Sequence, residues 1–356
     1  MTARPIAASP RAAIISPFVD ALCAGGLSML VLVPLLTLGW SHLLLLGAGV
    51  QAWLGALLNM PHFLASYRMV YRTRASIRAH PWAAIYVPIV LLLGCIGTVV
   101  AARWTDVPVA TLLTISSSYL ALHYTGQAWG MIATFSYLEG VSFNPTERRL
   151  VRGSLYILMT WHVVWFFHLG YRQYFDITPL YHGLTALTAV ALALGLTGFS
   201  LQRSRTGRWA PGRAWIPWAA IFVWYAAMAR VGLPALFVVQ IAHAVQYLIF
   251  PWRVEVNRTR REVGAGTGGH ERLVWHMAVY FAVLLAGSLL AAIALPLGAM
   301  AVVTDWLGTR PGQVVGFSIN AFFNIHHYFT DGVVWKLRNP EVREDLFGHL
   351  QQPARR

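Results

Sequence analysis

The last apolar segment of the chain ends in Asn324-Ile325-His326-His327-Tyr328-Phe329-Thr330-Asp331-Gly332. A membrane-spanning helix is expected to carry hydrocarbon side chains at this depth, and polar groups there are costly to insert. Because of that cost, such groups usually mark a functional site. Further histidines lie inside other apolar segments, at His62, His123, His162, His168 and His243.

The composition is typical of an integral membrane protein. Hydrophobic residues make up 57% of the 356 residues and charged residues only 11%, whereas a soluble domain carries about 25% charged residues. The length matches roughly ten membrane-crossing helices of about 20 residues joined by short loops. We therefore predict an all-α polytopic bundle forming a single domain over 1–356, with a short basic tail at 1–16 and a C-terminal tail at 337–356.

The distribution of charge explains the formal net charge of +14. The Lys and Arg residues lie in the two terminal tails and in alternate loops between the apolar segments. The exceptions, in the remaining loops, are Arg103, Arg172, Arg230 and Arg310. This alternation follows the positive-inside rule and places both termini in the cytoplasm. We therefore expect contact with membrane lipids rather than nucleic acid, and a location in the bacterial inner membrane.

Hydropathy and charge alternation together predict ten spans. They cover 17–38, 43–67, 82–102, 108–136, 154–171, 183–201, 214–230, 233–251, 273–295 and 312–335. The apolar residues 295–307 are too few for a span, which predicts an interfacial or re-entrant segment.

Several histidines reach a common depth in this topology. At 1.5 Å per helical residue from the cytoplasmic arginine boundary, His162, His243 and His327 lie roughly 13–15 Å inside a hydrocarbon core about 30 Å thick. His62 and His123 reach the same layer with modest helix tilt. The sequence therefore predicts a layer of imidazoles near the membrane midplane.

Each of three predicted spans carries polar side chains along one helical face, at spacings of three and four residues. These faces comprise Tyr119, His123 and Gln127; Gln240, His243 and Tyr247; and Asn320, Asn324, His327 and Asp331. His326 points about 100° away from the third face. Polar neighbours of this kind are suited to orienting a metal-bound imidazole.

The scarcity of carboxylates restricts the metal chemistry. Among the 13 Asp and Glu residues, only Asp331 lies clearly within a predicted span. A carboxylate-rich di-iron site of the ferritin type is therefore excluded. What remains is a nitrogen-rich site for non-haem iron, copper, zinc or haem. Because the surroundings are lipid, we expect a lipophilic small-molecule substrate, and oxidation with iron or copper is the first choice.

Pro61-His62-Phe63, residues 117–128 (SSYLALHYTGQA) and residues 241–248 (IAHAVQYL) form three short motifs. They resemble the Pro-His-Gly, Ser-x-x-His-Phe-Gly and His-bearing helix motifs of the bacterial Brp/Blh-type membrane carotene dioxygenases. The resemblance implies a helical membrane enzyme that cleaves β-carotene with iron held by histidines. It also implies His62, His123 and His243, with His326 or His327, as ligands. The chain departs from the family at Phe63, where glycine is expected, and at Ser66, where aspartate is expected.

The leading hypothesis is a membrane oxidoreductase in which histidine-bound iron activates dioxygen against an isoprenoid or another lipid. The predicted metal ligands are His62, His123, His243 and His327, with His326 as the alternative to His327. Asp331, Asn324 and Gln127 are predicted to orient the imidazoles or a bound water, and His162 to border the cofactor. Tyr124 and Tyr247 are predicted to lie beside the substrate and, together with Asp331, to be the catalytic residues. Two other functions stay open. One is a proton-coupled transporter that uses the histidines as a relay, and the other is a membrane-embedded transferase with His327 as its base.

Overall fold

The computed structural model describes residues 12–171, 176–263, 269–336 and 339–350, and these ranges contain helices and no strand. The helices are α1 (Pro17–Ala21), α2 (Leu27–Thr37), α3 (Ala48–Leu54), α4 (Met60–Tyr71), α5 (Arg74–Ala79), α6 (Val87–Ala101), α7 (Val107–Leu138), α8 (Pro145–Tyr171), α9 (Thr178–Thr206), α10 (Gly212–Val231), α11 (Leu233–Val263), α12 (Gly269–Leu289), α13 (Leu295–Leu307), α14 (Thr309–Val334) and α15 (Pro340–Phe347). Single π-helical turns at Leu22–Gly26, Gly55–Asn59, Trp82–Tyr86 and Leu290–Ala294 join neighbouring segments into longer helices.

The described residues confirm the predicted all-helical fold, and their apolar helices support an integral membrane protein. Within the described ranges, seven helical segments are long and apolar enough to cross a bilayer. They are Pro17–Thr37, Trp82–Ala101, Pro145–Gly170, Thr178–Thr206, Gly212–Val231, Leu233–Val263 and Gly269–Leu307. The other three predicted spans coincide with the helical stretch 48–71, with α7 and with α14, which carry His62, His123 and His327. The count of ten and the cytoplasmic termini stay predictions.

The segment 295–307 is α13, a helix that continues α12 through the π-helical turn Leu290–Ala294. Pro296 occupies the first turn of α13, where its missing N–H and its ring are tolerated. Residues 295–307 thus continue the helix of α12, and their interfacial or re-entrant placement stays a prediction.

Packing divides the chain into two compact units. The α14 unit comprises Gly47–Ser116 and Tyr247–Arg356, and the α10 unit comprises Arg4–Leu46 and Ser117–Gln246, each within the described residues. Each unit is a set of residues that pack mainly against one another. The single membrane domain stays a prediction.

In the α14 unit, α14 packs against α4, α6 and α13, and α12 packs against α4. One buried apolar cluster joins Ala65, Tyr247, Tyr280 and Leu284. A second cluster joins Met60 and Phe63 of α4 to the turn before α13, and partly buried Phe323 packs against it. Helix α4 is therefore held on both sides, and its buried face carries His62.

In the α10 unit, close helix packing depends on small residues. A Cβ atom at Gly195 of α9 would lie 2.3 Å from Cζ2 of Trp218 on α10, so only glycine fits there. Gly25 has φ of +133°, a conformation that favours glycine, and its Cβ would lie 2.6 Å from Cβ of Ala220. The kink at Gly25 thus brings the first helix onto α10.

Candidate metal centre

Helices α4 and α14 bring two buried histidines together in the α14 unit. The ring centroids of His62 and His327 lie 4.6 Å apart with the rings nearly perpendicular. Their exposed fractions are 1% and 0%. The polar face predicted for α14 therefore points into the protein at His327, as the spacing of Asn324, His327 and Asp331 on one face requires.

Ser66 of α4 fixes the orientation of the His327 ring. Its Oγ lies 2.9 Å from Nδ1 of His327, and its hydroxyl donates to the backbone carbonyl of Phe63 at 3.0 Å. When the single hydrogen of the Ser66 hydroxyl points to Phe63, the hydrogen of the Ser66–His327 contact comes from Nδ1 of His327. In that tautomer Nε2 of His327 is free of hydrogen, which is the form that binds a metal ion.

A carboxylate lies on the other side of the same imidazole. Oδ2 of Asp331 is 3.4 Å from Nε2 of His327. Oδ1 of Asp331 accepts a hydrogen bond of 2.8 Å from the hydroxyl of Tyr247, which in turn accepts one of 3.0 Å from Nε1 of Trp335. The Tyr247 ring centroid lies 5.5 Å from that of His62 and 5.4 Å from that of His327. Tyr247 and Asp331 therefore border the histidine pair.

The α10 unit contains a second histidine pair. The ring centroids of His123 on α7 and His243 on α11 lie 4.6 Å apart, and the ring of Tyr124 lies 4.6 Å from that of His243. Nε2 of Gln127 donates to the backbone carbonyl of His243 at 3.3 Å and to Oε1 of Gln246 at 3.1 Å. Gln127 thus holds the backbone at His243 and not the imidazole that was predicted as its partner.

Four of the predicted ligands come together. One nitrogen atom from each of His62, His123, His243 and His327 lies within 4.8 Å of the corresponding atoms of the other three. His62, His243 and His327 are buried, and His123 is half-buried. Each of the four imidazoles comes from a different helix, namely α4, α7, α11 and α14.

Two other predicted site residues, His326 and Asn324, make their polar contacts outside the group of four. Nε2 of His326 lies 3.0 Å from the carbonyl of Ala83, and its ring packs at 4.8 Å against that of Tyr67. Of the two neighbouring histidines, the structure therefore places His327 in the cluster and His326 outside it. Asn324 donates to the carbonyl and Oδ1 of Asn320 on its own helix, at 2.8 and 2.7 Å.

His162 contributes to the surroundings rather than to the group of four. Its Nδ1 lies 3.1 Å from the hydroxyl of Tyr225, and its ring lies 5.9 Å from that of Tyr124. His162 is fully buried. Tyr124 therefore packs between His162 and His243, which extends the polar core of the α10 unit away from the cluster.

Sequence reasoning missed three contributors. Ser66 entered only as a departure from a family motif, Thr330 only as a member of the segment 324–332, and Trp335 not at all. Helical spacing could have found them, because Ser66 follows His62 by four residues, Thr330 follows His327 by three and Trp335 follows Asp331 by four. Thr330 is buried, with its Oγ1 3.0 Å from Oγ of Ser66.

Comparison of the chain with models of protein families, with curated proteins and with solved structures finds no match.

Proposed function

We propose that the protein is a membrane oxidoreductase whose metal ion is held by His62, His123, His243 and His327. The observation that carries the proposal is the convergence of these four side chains, with one nitrogen of each within 4.8 Å of the others. Burying polar side chains inside a membrane protein costs free energy. Four neighbouring imidazoles offset that cost when they bind a common metal ion.

The spacing suits a single ion. Metal–nitrogen bonds of about 2.1 Å separate the donor atoms by about 3.4 Å in a tetrahedral site and by about 4.2 Å across a planar one. Four atoms no more than 4.8 Å apart therefore need shifts of less than about 1 Å each to reach a common ion. Side-chain rotation alone supplies movements of that size.

The donor set selects among the metals that the sequence leaves open. Haem takes two axial nitrogens and fills the plane between them with porphyrin, so two additional imidazoles in the same space would collide with it. Iron, copper and zinc all accept imidazole. Zinc does not change oxidation state, which leaves iron and copper for redox chemistry, and the motif resemblance favours iron.

A bound iron would supply the electron transfer that activates dioxygen. If both oxygen atoms enter the substrate, as in a dioxygenase, the electrons balance without a separate reductant. The chain's own residues then have defined tasks. Ser66 keeps Nε2 of His327 deprotonated, Asp331 places a carboxylate beside that ring, and Tyr124 and Tyr247 present aromatic surfaces to an apolar substrate such as an isoprenoid or another lipid.

The test is isotope incorporation. Purified protein loaded with Fe(II) is placed in vesicles made from a total lipid extract of bacterial membranes and exposed to ¹⁸O₂. We expect ¹⁸O-labelled products by mass spectrometry with the wild-type protein and none with His243→Ala, while His168→Ala, altered at a histidine outside the cluster, keeps the activity. Metal-bound protein that incorporates no label from this extract would contradict the oxygenase assignment. Metal-free protein would favour a transporter or a transferase.

A further inference from the structure

A crevice that none of the four histidines lines opens between α4 and α12 in the α14 unit. It has a volume of about 70 Å³ and is lined by Arg68, His276, Val279, Tyr280, Val283 and Leu284. Val279 and Val283 remain 43% and 63% exposed. The crevice therefore combines an apolar wall open to the surroundings with two nitrogen-bearing side chains.

One buried carboxylate fixes the polar end. Oε1 of Glu255 accepts from Nη2 of Arg68 at 2.5 Å and lies 2.7 Å from Nε2 of His276. The side chain of Glu255 is 6% exposed, whereas those of Arg68 and His276 are 39% and 35% exposed. The guanidinium group has five N–H donors, so its bonds to Glu255 leave donors for an anion at the mouth of the crevice.

The apolar end follows from helical spacing on α12. Val279, Val283 and Leu284 follow His276 by three, seven and eight residues and so share its face. From His276 to Leu284 the helix rises about 12 Å. Exposed Arg272 lies one turn before His276, which adds a positive charge at the polar end. The face thus carries the guanidinium group of Arg272 and the imidazole of His276, followed by about two turns of hydrocarbon.

We propose that this crevice binds an anionic phospholipid. Its phosphate would contact Arg68, His276 and Arg272, and one acyl chain would lie along Val279 and Val283. The complementarity of charge supports an anionic head group, because basic pockets between membrane helices bind acidic lipid head groups. A zwitterionic lipid offers the same hydrocarbon and less net attraction.

A single layer of side chains separates this crevice from the histidine pair of the α14 unit, His62 and His327. Tyr280 and Leu284, which line the crevice, pack with Ala65 and Tyr247, and Tyr247 contacts the rings of His62 and His327. Occupancy by lipid therefore strengthens the packing of α4 on α12. This inference is independent of the metal and of the proposed reaction.

The experiment measures lipid binding to the full chain in detergent by native mass spectrometry, with phosphatidylglycerol and with phosphatidylcholine of the same acyl chains. We expect at least tenfold tighter binding of phosphatidylglycerol. Val283→Trp, which fills the crevice, is expected to reduce that binding at least fivefold. Leu93→Trp is the matched control, because Leu93 on α6 is 64% exposed, as Val283 is 63% exposed.

Arg272→Gln tests the head group without altering the bonds of Glu255, and is expected to lower the preference for phosphatidylglycerol at least threefold. Val279→Phe serves as a second crevice-filling variant if Val283→Trp does not fold. Equal affinity for the two lipids would overturn the proposal. So would a Val283→Trp or Val279→Phe protein that binds phosphatidylglycerol as tightly as the Leu93→Trp protein does.

Discussion

Replacing Ser66 by alanine tests how the site prepares His327 to bind metal. Ser66 is fully buried, and its Oγ lies 2.9 Å from Nδ1 of His327. The substitution removes the acceptor that holds the ring hydrogen on Nδ1, so the ring can rotate and can carry the hydrogen on Nε2 instead. Loss of the partner of a metal-bound imidazole typically weakens metal binding by 10–100-fold.

The magnitude agrees with the cost of the lost hydrogen bond. Leaving a buried donor without its acceptor costs about 1–3 kcal/mol, and 1.4 kcal/mol corresponds to about a tenfold change in affinity. We therefore expect Ser66→Ala to weaken metal binding by about 10–100-fold, with the four histidines themselves unchanged.

The assay is competition for Co(II) or Fe(II) between the purified protein and a chromophoric chelator. The control is Ser318→Ala on α14, the helix that carries His327. Ser318 is also buried, at 2% exposed, and its Oγ has no hydrogen-bond partner among the described residues. It lies about 13 Å along the helix from His327. Equal metal affinity of the Ser66→Ala and Ser318→Ala proteins would refute the reasoning.

Three further substitutions have expected outcomes. His326→Ala loses a buried hydrogen bond to a backbone carbonyl, so the free energy of unfolding in detergent should fall by about 1–3 kcal/mol. The bound metal should be retained, and loss of the metal would show that His326 is a ligand. Tyr247→Phe removes the donor to Asp331 and should lower the yield of labelled product without releasing metal, and an unchanged yield would exclude Tyr247 from the site. Arg213→Gln removes the partner of the buried carboxylate of Asp20 and should lower the free energy of unfolding by about 3–5 kcal/mol; a change under about 1 kcal/mol would mean that the pair is not buried in the folded protein.

The helical periodicity of polar residues predicted much of the candidate site. The spacing of His327 and Asp331 placed both on one face, and the structure puts them 3.4 Å apart. The choice between His326 and His327 could not be made, because neighbouring residues on a helix point about 100° apart. Both histidines are buried and both contact α4, and only the three-dimensional packing shows that His327 is the one beside Ser66.

Hydrogen-bond partners on other helices were harder to predict than the polar face of each helix. Gln127 was expected to orient an imidazole, and its side chain bonds the backbone of His243 instead. The sequence shows that Gln127 shares a face with His123, and it does not show the rotation of α11 beside it. Nothing in the sequence indicated that a π-helical turn joins 295–307 to α12 in one continuous helix.

The most direct test of the central claim is the transition-metal content of detergent-purified protein, measured by inductively coupled plasma mass spectrometry. We expect about one iron or copper per wild-type chain, retained in His326→Ala and lost in His62→Ala, His123→Ala, His243→Ala and His327→Ala. A folded wild-type protein without bound metal after Fe(II) or Cu(I) loading would contradict the account. Equal metal content in the His243→Ala and His326→Ala proteins would contradict it as well.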